Sequence, residues 1–284
     1  MRIPWPLNDC TGFLYRMGRL EGTYDAIGSG VYIVVSEGGA VFSYLVTCRH
    51  VVKPLIETGE TIYVRMNRSD EPTGVKYLEL LGEWFYHDDP AVDVAVIHLK
   101  PTGEPFEATL IGAEKLLTIE TSTRTGHNVA EGDEVFFAAL FEPYHGYERN
   151  LATYRFGHVA MLPKEEIPSP LGGMAEYLLL EALVFPFNSG SPLFSMYLRS
   201  ARTLDYSIIG IVSGFFPEKE RVMTNERGEV INFTHYGIST AIPSDKIHEV
   251  LYKNNKLVDD RKNKIRAGRE AHQQEPAGGL YRAR

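Results

Sequence analysis

Short apolar runs, several alternating with polar residues, recur along the chain and are enriched in Val, Ile, Tyr and Phe. Alternation with a period of two marks a half-buried strand, and a brief unbroken apolar run bounded by turn residues fits a strand buried on both faces. The clearest are 30–36 GVYIVVS, 41–47 VFSYLVT, 61–66 TIYVRM, 76–81 KYLELL and 93–99 DVAVIHL. A second set follows at 134–141, 151–161, 177–183, 191–197, 206–213 and 230–242. Gly, Pro, Asn and Asp separate these runs, and few helical patterns lie between them to make crossovers. The pattern predicts an all-β protein of two antiparallel β-barrels, with the polar, Thr- and Gly-rich stretch 100–130 as connector. One terminal helix is expected, capped by Ser244 and running over 245–253 with Ile247, Val250 and Leu251 on one face. The expected layout is an N-terminal extension over 1–24, a first barrel over 25–128, a second barrel with its helix over 129–254, and a basic, flexible tail over 255–284.

Bulk properties narrow the field. A chain of 284 residues, 44% hydrophobic and 23% charged, buries a real core and is not disordered throughout. Its net charge of −8 is uneven: residues 253–284 hold nine Lys/Arg against four Asp/Glu, which leaves about −13 on residues 1–252. An acidic body argues against nucleic acid as a ligand, because backbone binding needs a broad basic surface. The basic tail, RKNKIRAGR included, is read as a solvated extension. Two cysteines, Cys10 and Cys48, favour a reducing compartment. The N-terminus lacks the apolar core of a signal peptide, and no apolar run approaches a membrane span. A soluble, cytoplasmic protein without membrane contact is expected. CxxC, HExxH and Walker-type glycine loops are missing, so neither a metal nor a nucleotide cofactor is expected.

The stretch 184–194, VFPFNSGSPLF, sets two hydroxyls, a glycine and a proline between two apolar segments. It is either a tight turn or a nucleophile, Ser189, held at the tip of one. A serine hydroxyl is a poor nucleophile at neutral pH and needs a base. His50 stands in a distinctive place, directly after an apolar strand in YLVTCRHVV. Asp93 leads the apolar run DVAVIHL, where a carboxylate needs a hydrogen-bonding partner such as an imidazole N–H.

TCRHVV, DPAVDVAVI and NSGSPLF resemble the histidine, aspartate and nucleophile motifs of trypsin/chymotrypsin-like serine peptidases, closest in style to bacterial Deg-type domains. Their order, at intervals of 43 and 96 residues, is the family's order. GSGVYIV (28–34), the segment from Gly132 to Leu162, GIVSGF (210–215) and YGISTAIPSDKI (236–247) resemble its flanking strands and terminal helix, so the likeness covers about 25–252. The resemblance implies peptide-bond hydrolysis through an acyl-enzyme, without a cofactor. Ser189 would attack, His50 would carry the proton, and Asp93 would fix the imidazole tautomer. The backbone N–H groups of Phe187 and Ser189 would form the oxyanion hole. Ser213 and Phe215 would pair with an extended protein or peptide substrate. Leu183, six residues before the nucleophile, would floor an apolar primary pocket, favouring cleavage after small or medium apolar residues.

Two positions depart from the family. Asn188 stands where activated digestive members carry an aspartate, which removes activation by a newly cleaved N-terminus. Phe187 stands where the family has glycine, whose backbone freedom phenylalanine lacks. That residue leads to the expectation that the Pro186–Phe187 peptide rests flipped until a regulatory protein partner or substrate turns it. It also keeps open a catalytically weak domain of the same fold serving as a binding module. An esterase-like hydrolase is disfavoured, since it would show G-x-S-x-G between a strand and a helix. Cys48 is read as a buried structural thiol, EPYHGYERN (142–150) as a surface hairpin loop before a substrate-lining one, and His158 and Glu181 as structurally satisfied at least as readily as lining the cleft.

Overall fold

The chain begins its regular structure earlier than the apolar runs imply. Strand β1 (Thr11–Met17) pairs antiparallel with β2 (Tyr24–Glu37) on one side and with β4 (Ile62–Arg68) on the other, so it is an interior strand. The stretch 1–24 is therefore no extension from Thr11 onward. Between β2 and β4 lie β3 (Ala40–Thr47) and helix α1 (Arg49–Glu57). Then come β5 (Val75–Glu79), β6 (Trp84–Tyr86), β7 (Ala95–His98), β8 (Phe106–Glu107) and β9 (Ile111–Gly112). They curl into a sheet in the order β5-β4-β1-β2-β3-β7-β6, with β8 added to β4 and β9 to β2. The stretch expected as a bare connector thus supplies β8 and β9, and also α2 (Ile119–Thr125), which Thr118 and Thr121 close with a reciprocal capping box.

The second half closes on itself. It contains β10 (Glu134–Ala139), β11 (Thr153–Met161), the short pair β12 (Ile167–Pro168) and β13 (Met174–Ala175), β14 (Leu178–Glu181), β15 (Pro192–Ser200), β16 (Thr203–Thr224) and β17 (Gly228–Pro243). Six of these form a closed barrel, β10-β11-β14-β17-β16-β15. Beyond the barrel, β16 and β17 stay paired with each other out to Thr224 and Gly228. The apolar pattern ends β16 at Ser213 and misses this ribbon. The chain finishes with α3 (Ser244–Lys253) and α4 (Asn255–Gln274). This computed structural model describes residues 3, 7 and 9–274, apart from 72, 101, 102, 104, 170, 171, 201, 202 and 225–227; at 200, 216–236 and 271–274 it describes the backbone alone.

One core cluster joins the halves. Phe136, Phe194, Ile208, Ile211 and Ile242 from the second barrel pack with Val31, Leu45, Val46 and Val96 from the first. A separate cluster around Phe137, Leu180, Leu193 and Val212 fills the closed barrel. Burying a large apolar side chain contributes about 1.5–3 kcal/mol, so the shared cluster holds the two halves in a fixed relation.

Two expectations about the C-terminus change. Ser244 is the first residue of α3 and not its cap; its hydroxyl donates to the Leu117 carbonyl at 2.6 Å, tying the helix to the connector. The tail is docked through Leu257, Arg261 and Ile265 of α4. Leu257 and Arg261 are buried on one face, and Arg261, 1% exposed, donates through Nε to Glu37 Oε2 at 2.6 Å. The rest of the expected tail, 275–284, lies outside the described residues. Among the described residues no helix is long and apolar enough to cross a membrane.

Candidate active site

His50 is the second residue of α1, whose N-cap, Cys48, offers no side-chain hydrogen bond. The first N–H groups of a helix lack intrahelical acceptors and favour a negative charge. Asp93 meets that need: its Oδ1 accepts from the His50 backbone N–H at 2.9 Å. Its other oxygen, Oδ2, takes His50 Nδ1 at 2.7 Å and the Ser213 hydroxyl at 2.8 Å. The carboxylate is 1% exposed and accepts three donors, so its burial is compensated. A carboxylate only accepts, so Nδ1 carries the proton and the Nε2 of a neutral ring is left as a base.

The Ser189 loop lies across the first barrel. Asn188 N–H donates to the Phe185 carbonyl at 3.1 Å, closing a turn with Pro186 and Phe187 at its centre. Proline first and a positive φ second is the type II pattern. Phe187 has φ 71°, and among the described residues it is the sole non-glycine with positive φ. It thus takes the conformation that glycine takes without strain. Its side chain packs in a cluster with Phe13, Tyr15 and Leu140, joined by Tyr24, Tyr63 and Tyr77. Asn188 is buried and holds the turn from inside, its Nδ2 donating to the Leu140 carbonyl at 2.8 Å and its Oδ1 accepting from Phe185 N–H at 3.0 Å. The N–H groups of Phe187 and Ser189 have no protein acceptor among the described residues.

Ser29, on β2, is the residue that sequence reasoning missed. Its N–H donates to the Ser189 carbonyl at 2.8 Å, and its hydroxyl donates to the Phe187 carbonyl at 2.9 Å while accepting from Leu140 N–H at 3.2 Å. Thr47 Oγ1 holds the Ser29 carbonyl at 2.6 Å. Gly190, at φ 89°, sits against that carbonyl, and a Cβ there would collide with it. The signal in the sequence is Gly28-Ser29-Gly30, small residues that let another backbone approach.

The structure brings His50, Asp93, Ser213 and Ser189 together, with one difference from expectation. The Ser189 hydroxyl donates to the Ser213 carbonyl at 2.8 Å and makes no hydrogen bond to His50. Phe215 is half-buried two residues further along β16. Leu183 does not fit the floor of a pocket: it is 51% exposed, on the open stretch that follows β14. Cys48 is buried and donates to the Val212 carbonyl at 3.2 Å; burial, with the Asp93 charge adding to it, pushes its thiol well above the ordinary range. Cys48, His50 and Asp93 lie within ligand distance of one another, yet a protonated, engaged thiol makes a poor metal ligand. His158 and Glu181 are cross-strand neighbours lining a separate cavity with Glu134 and Phe156. The loop 142–150 is anchored by buried Arg65, which donates to the Gly146 and Tyr147 carbonyls and to Asn150 Oδ1.

No protein-family model matches the sequence, and no curated protein matches it. Solved structures do. The crystal structure of Deg5 is 21% identical, with 85% of this chain and 87% of that chain covered and a TM-score of 0.51. The HtrA-type protease AlgW, solved with a decapeptide, is 19% identical over 87% of this chain and 64% of its own, with a TM-score of 0.49. The active form of the Rv3671c protease from M. tuberculosis is 14% identical over 86% of this chain and 80% of its own, with a TM-score of 0.46. The strand order, the closed second barrel, the terminal helix and the likeness to Deg5 together give this chain a double β-barrel fold of the chymotrypsin type.

Proposed function

We propose that the chain is a serine endopeptidase. An extended peptide pairs with the backbone of Ser213–Phe215, and Ser189 Oγ attacks the scissile carbonyl carbon as His50 Nε2 takes its proton. The oxyanion forms between the N–H groups of Phe187 and Ser189. Collapse of the tetrahedral intermediate expels the amine, protonated by His50, and leaves an acyl-enzyme that water hydrolyses by the same route. Asp93 holds the tautomer and stabilises the imidazolium. The observation that carries this reading is the buried Asp93 carboxylate, bonded to both His50 and Ser213.

Two unengaged amides at the turn support an oxyanion hole already formed, in place of the flipped peptide expected from Phe187. Control then falls on the Ser189 side chain. A substrate strand, or a regulatory protein partner, that occupies the Ser213 carbonyl frees the hydroxyl for His50. The reaction needs no cofactor, and a cytoplasmic setting suits the two unpaired cysteines.

Turnover of an unstructured polypeptide tests the assignment. Ser189→Ala and His50→Ala should each lower the rate by as much as ~10⁶-fold, with the double variant little worse, because the residues act as a unit. Additive losses, or full activity in Ser189→Ala, overturn it. A second reading, a weakly catalytic module that binds peptides, is favoured by the Ser189 hydroxyl lying on Ser213 and not on His50.

A further inference from the structure

Arg155 differs from Arg65, Arg149 and Arg261, each of which has a polar or charged partner. Arg65 donates to Asn150 and to loop carbonyls, Arg261 pairs with Glu37, and Arg149 pairs with Glu107. Arg155, half-buried on β11, has neither a carboxylate nor a carbonyl partner among the described residues, and its Nε is buried without a hydrogen bond. Burial alone holds its acidity constant below the ordinary guanidinium value, with no nearby charge contributing. A partly dehydrated cation without a counter-charge gains when an anion joins it.

Its position ties it to the candidate active site. Arg155 lies opposite Phe137 in the β10–β11 register, and directly opposed residues share a face of the sheet. Phe137 belongs to the core of the closed barrel, so the Arg155 stem starts inside the barrel mouth. Its guanidinium carbon lies 4.3 Å over the ring of Phe185. Phe185 is the residue that Asn188 grips through both backbone N–H and carbonyl, in the turn that carries Phe187 and Ser189. A guanidinium stacked on a ring keeps its edge N–H groups free, and that planar fork matches a carboxylate. Phe185, 40% exposed, leaves open apolar surface beside it for the stem of an acidic side chain.

We propose that Arg155 is a substrate-binding residue that selects peptides carrying Asp or Glu beside the scissile bond. This rests on the serine endopeptidase reading of the site, and it replaces the purely apolar pocket expected from Leu183. A carboxylate restores the partner the guanidinium lacks, while the isosteric amide returns only a neutral hydrogen bond.

The test uses peptide pairs that differ only by Glu against Gln at each position around the cleaved bond. The full chain should favour Glu at one position by about tenfold or more in kcat/KM, the discrimination typical of a hydrogen bond to a charged group. Arg155→Met should erase that preference, Arg155→Lys should keep part of it, and Arg155→Glu should turn it toward Lys. Equal rates for all wild-type pairs, or a Glu preference that survives in Arg155→Met, overturn the proposal. Should Arg155→Met fail to fold, Arg155→Lys and Arg155→Glu decide it by the same ratios. Binding of the same peptides to Ser189→Ala, read by fluorescence anisotropy, needs no turnover. A Glu preference in binding without hydrolysis by the wild type supports Arg155 and sinks the endopeptidase reading; hydrolysis without a Glu preference does the reverse.

Discussion

The Ser189 hydroxyl rests on the carbonyl of Ser213 at 2.8 Å, and the hydroxyl of that same Ser213 donates to Asp93 at 2.8 Å. One residue thus links the proposed nucleophile to the proposed orienting acid, and its two ends are separable. Ser213→Ala keeps the carbonyl and removes the third donor to a buried carboxylate. Loss of a hydrogen bond to a charged group amounts to about 1.5–3 kcal/mol. The expected outcome is a fall of about tenfold to a hundredfold in kcat/KM, mostly in kcat. A lowered Tm with unchanged kcat/KM would mean that Ser213 serves the fold alone.

Phe187 makes a second case in which two effects oppose. A non-glycine residue in the left-handed region is disfavoured by about 1–2 kcal/mol. Its packing against the Phe13, Tyr15 and Leu140 cluster offsets that strain. Phe187→Ala loses the contacts and keeps the strain, whereas Phe187→Gly loses both. Thermal unfolding should therefore rank Phe187→Gly above Phe187→Ala, by about 1 kcal/mol. Small-substrate turnover in Phe187→Gly should equal or fall below wild type if the proposed oxyanion hole is already formed at this turn. A rise of about tenfold or more would restore the flipped-peptide reading, since one missing donor is worth ~10²–10³ in rate.

Stability should respond to acid through His127. This ring is buried between Ser207 Oγ at 3.2 Å and Ser195 Oγ at 3.3 Å and stacks on Tyr197. Burial holds its pKa below the ordinary 6.5, with Asp133 and Asp205 only partly opposing. The unfolded chain then binds the extra proton first, so stability is full above about pH 6.5 and falls as pH drops toward the folded-state value. His98 and His248, also lowered chiefly by burial, add to the same slope. Urea unfolding between pH 7.5 and 5 should show this loss, and His127→Gln should flatten part of it. An identical pH slope in His127→Gln would contradict the assignment.

The sequence makes β2, β3 and β7 readable because their apolar runs are dense and bounded by turn residues. Strand β1 is hidden by its position: TGFLYRM has no alternation, since β2 and β4 flank it and most of it is buried. Helix α4 is hidden because the row that docks it, Leu257, Arg261 and Ile265, has an arginine at its centre. The order His50, Asp93, Ser189 is legible because each stands in a local motif. Ser29 and Arg155 carry no such motif. Ser29 acts on the turn through partners 158 and 111 residues away, and Arg155 matters through the partner it lacks. Leu183 illustrates the converse, a position inferred from spacing whose exposure is set by the open path of the chain after β14.

The most direct test of the proposed chemistry is labelling of the full chain by a fluorophosphonate probe, with the modified residue mapped by mass spectrometry. A serine activated by His50 and Asp93 reacts, and an ordinary serine does not. The expected result is a single adduct on Ser189, lost in Ser189→Ala and in His50→Ala and slowed on the order of 10⁴-fold in Asp93→Asn, where the tautomer is wrong. A wild-type chain that stays unlabelled, or an adduct on Ser189 that forms equally fast without His50, would contradict the serine peptidase assignment.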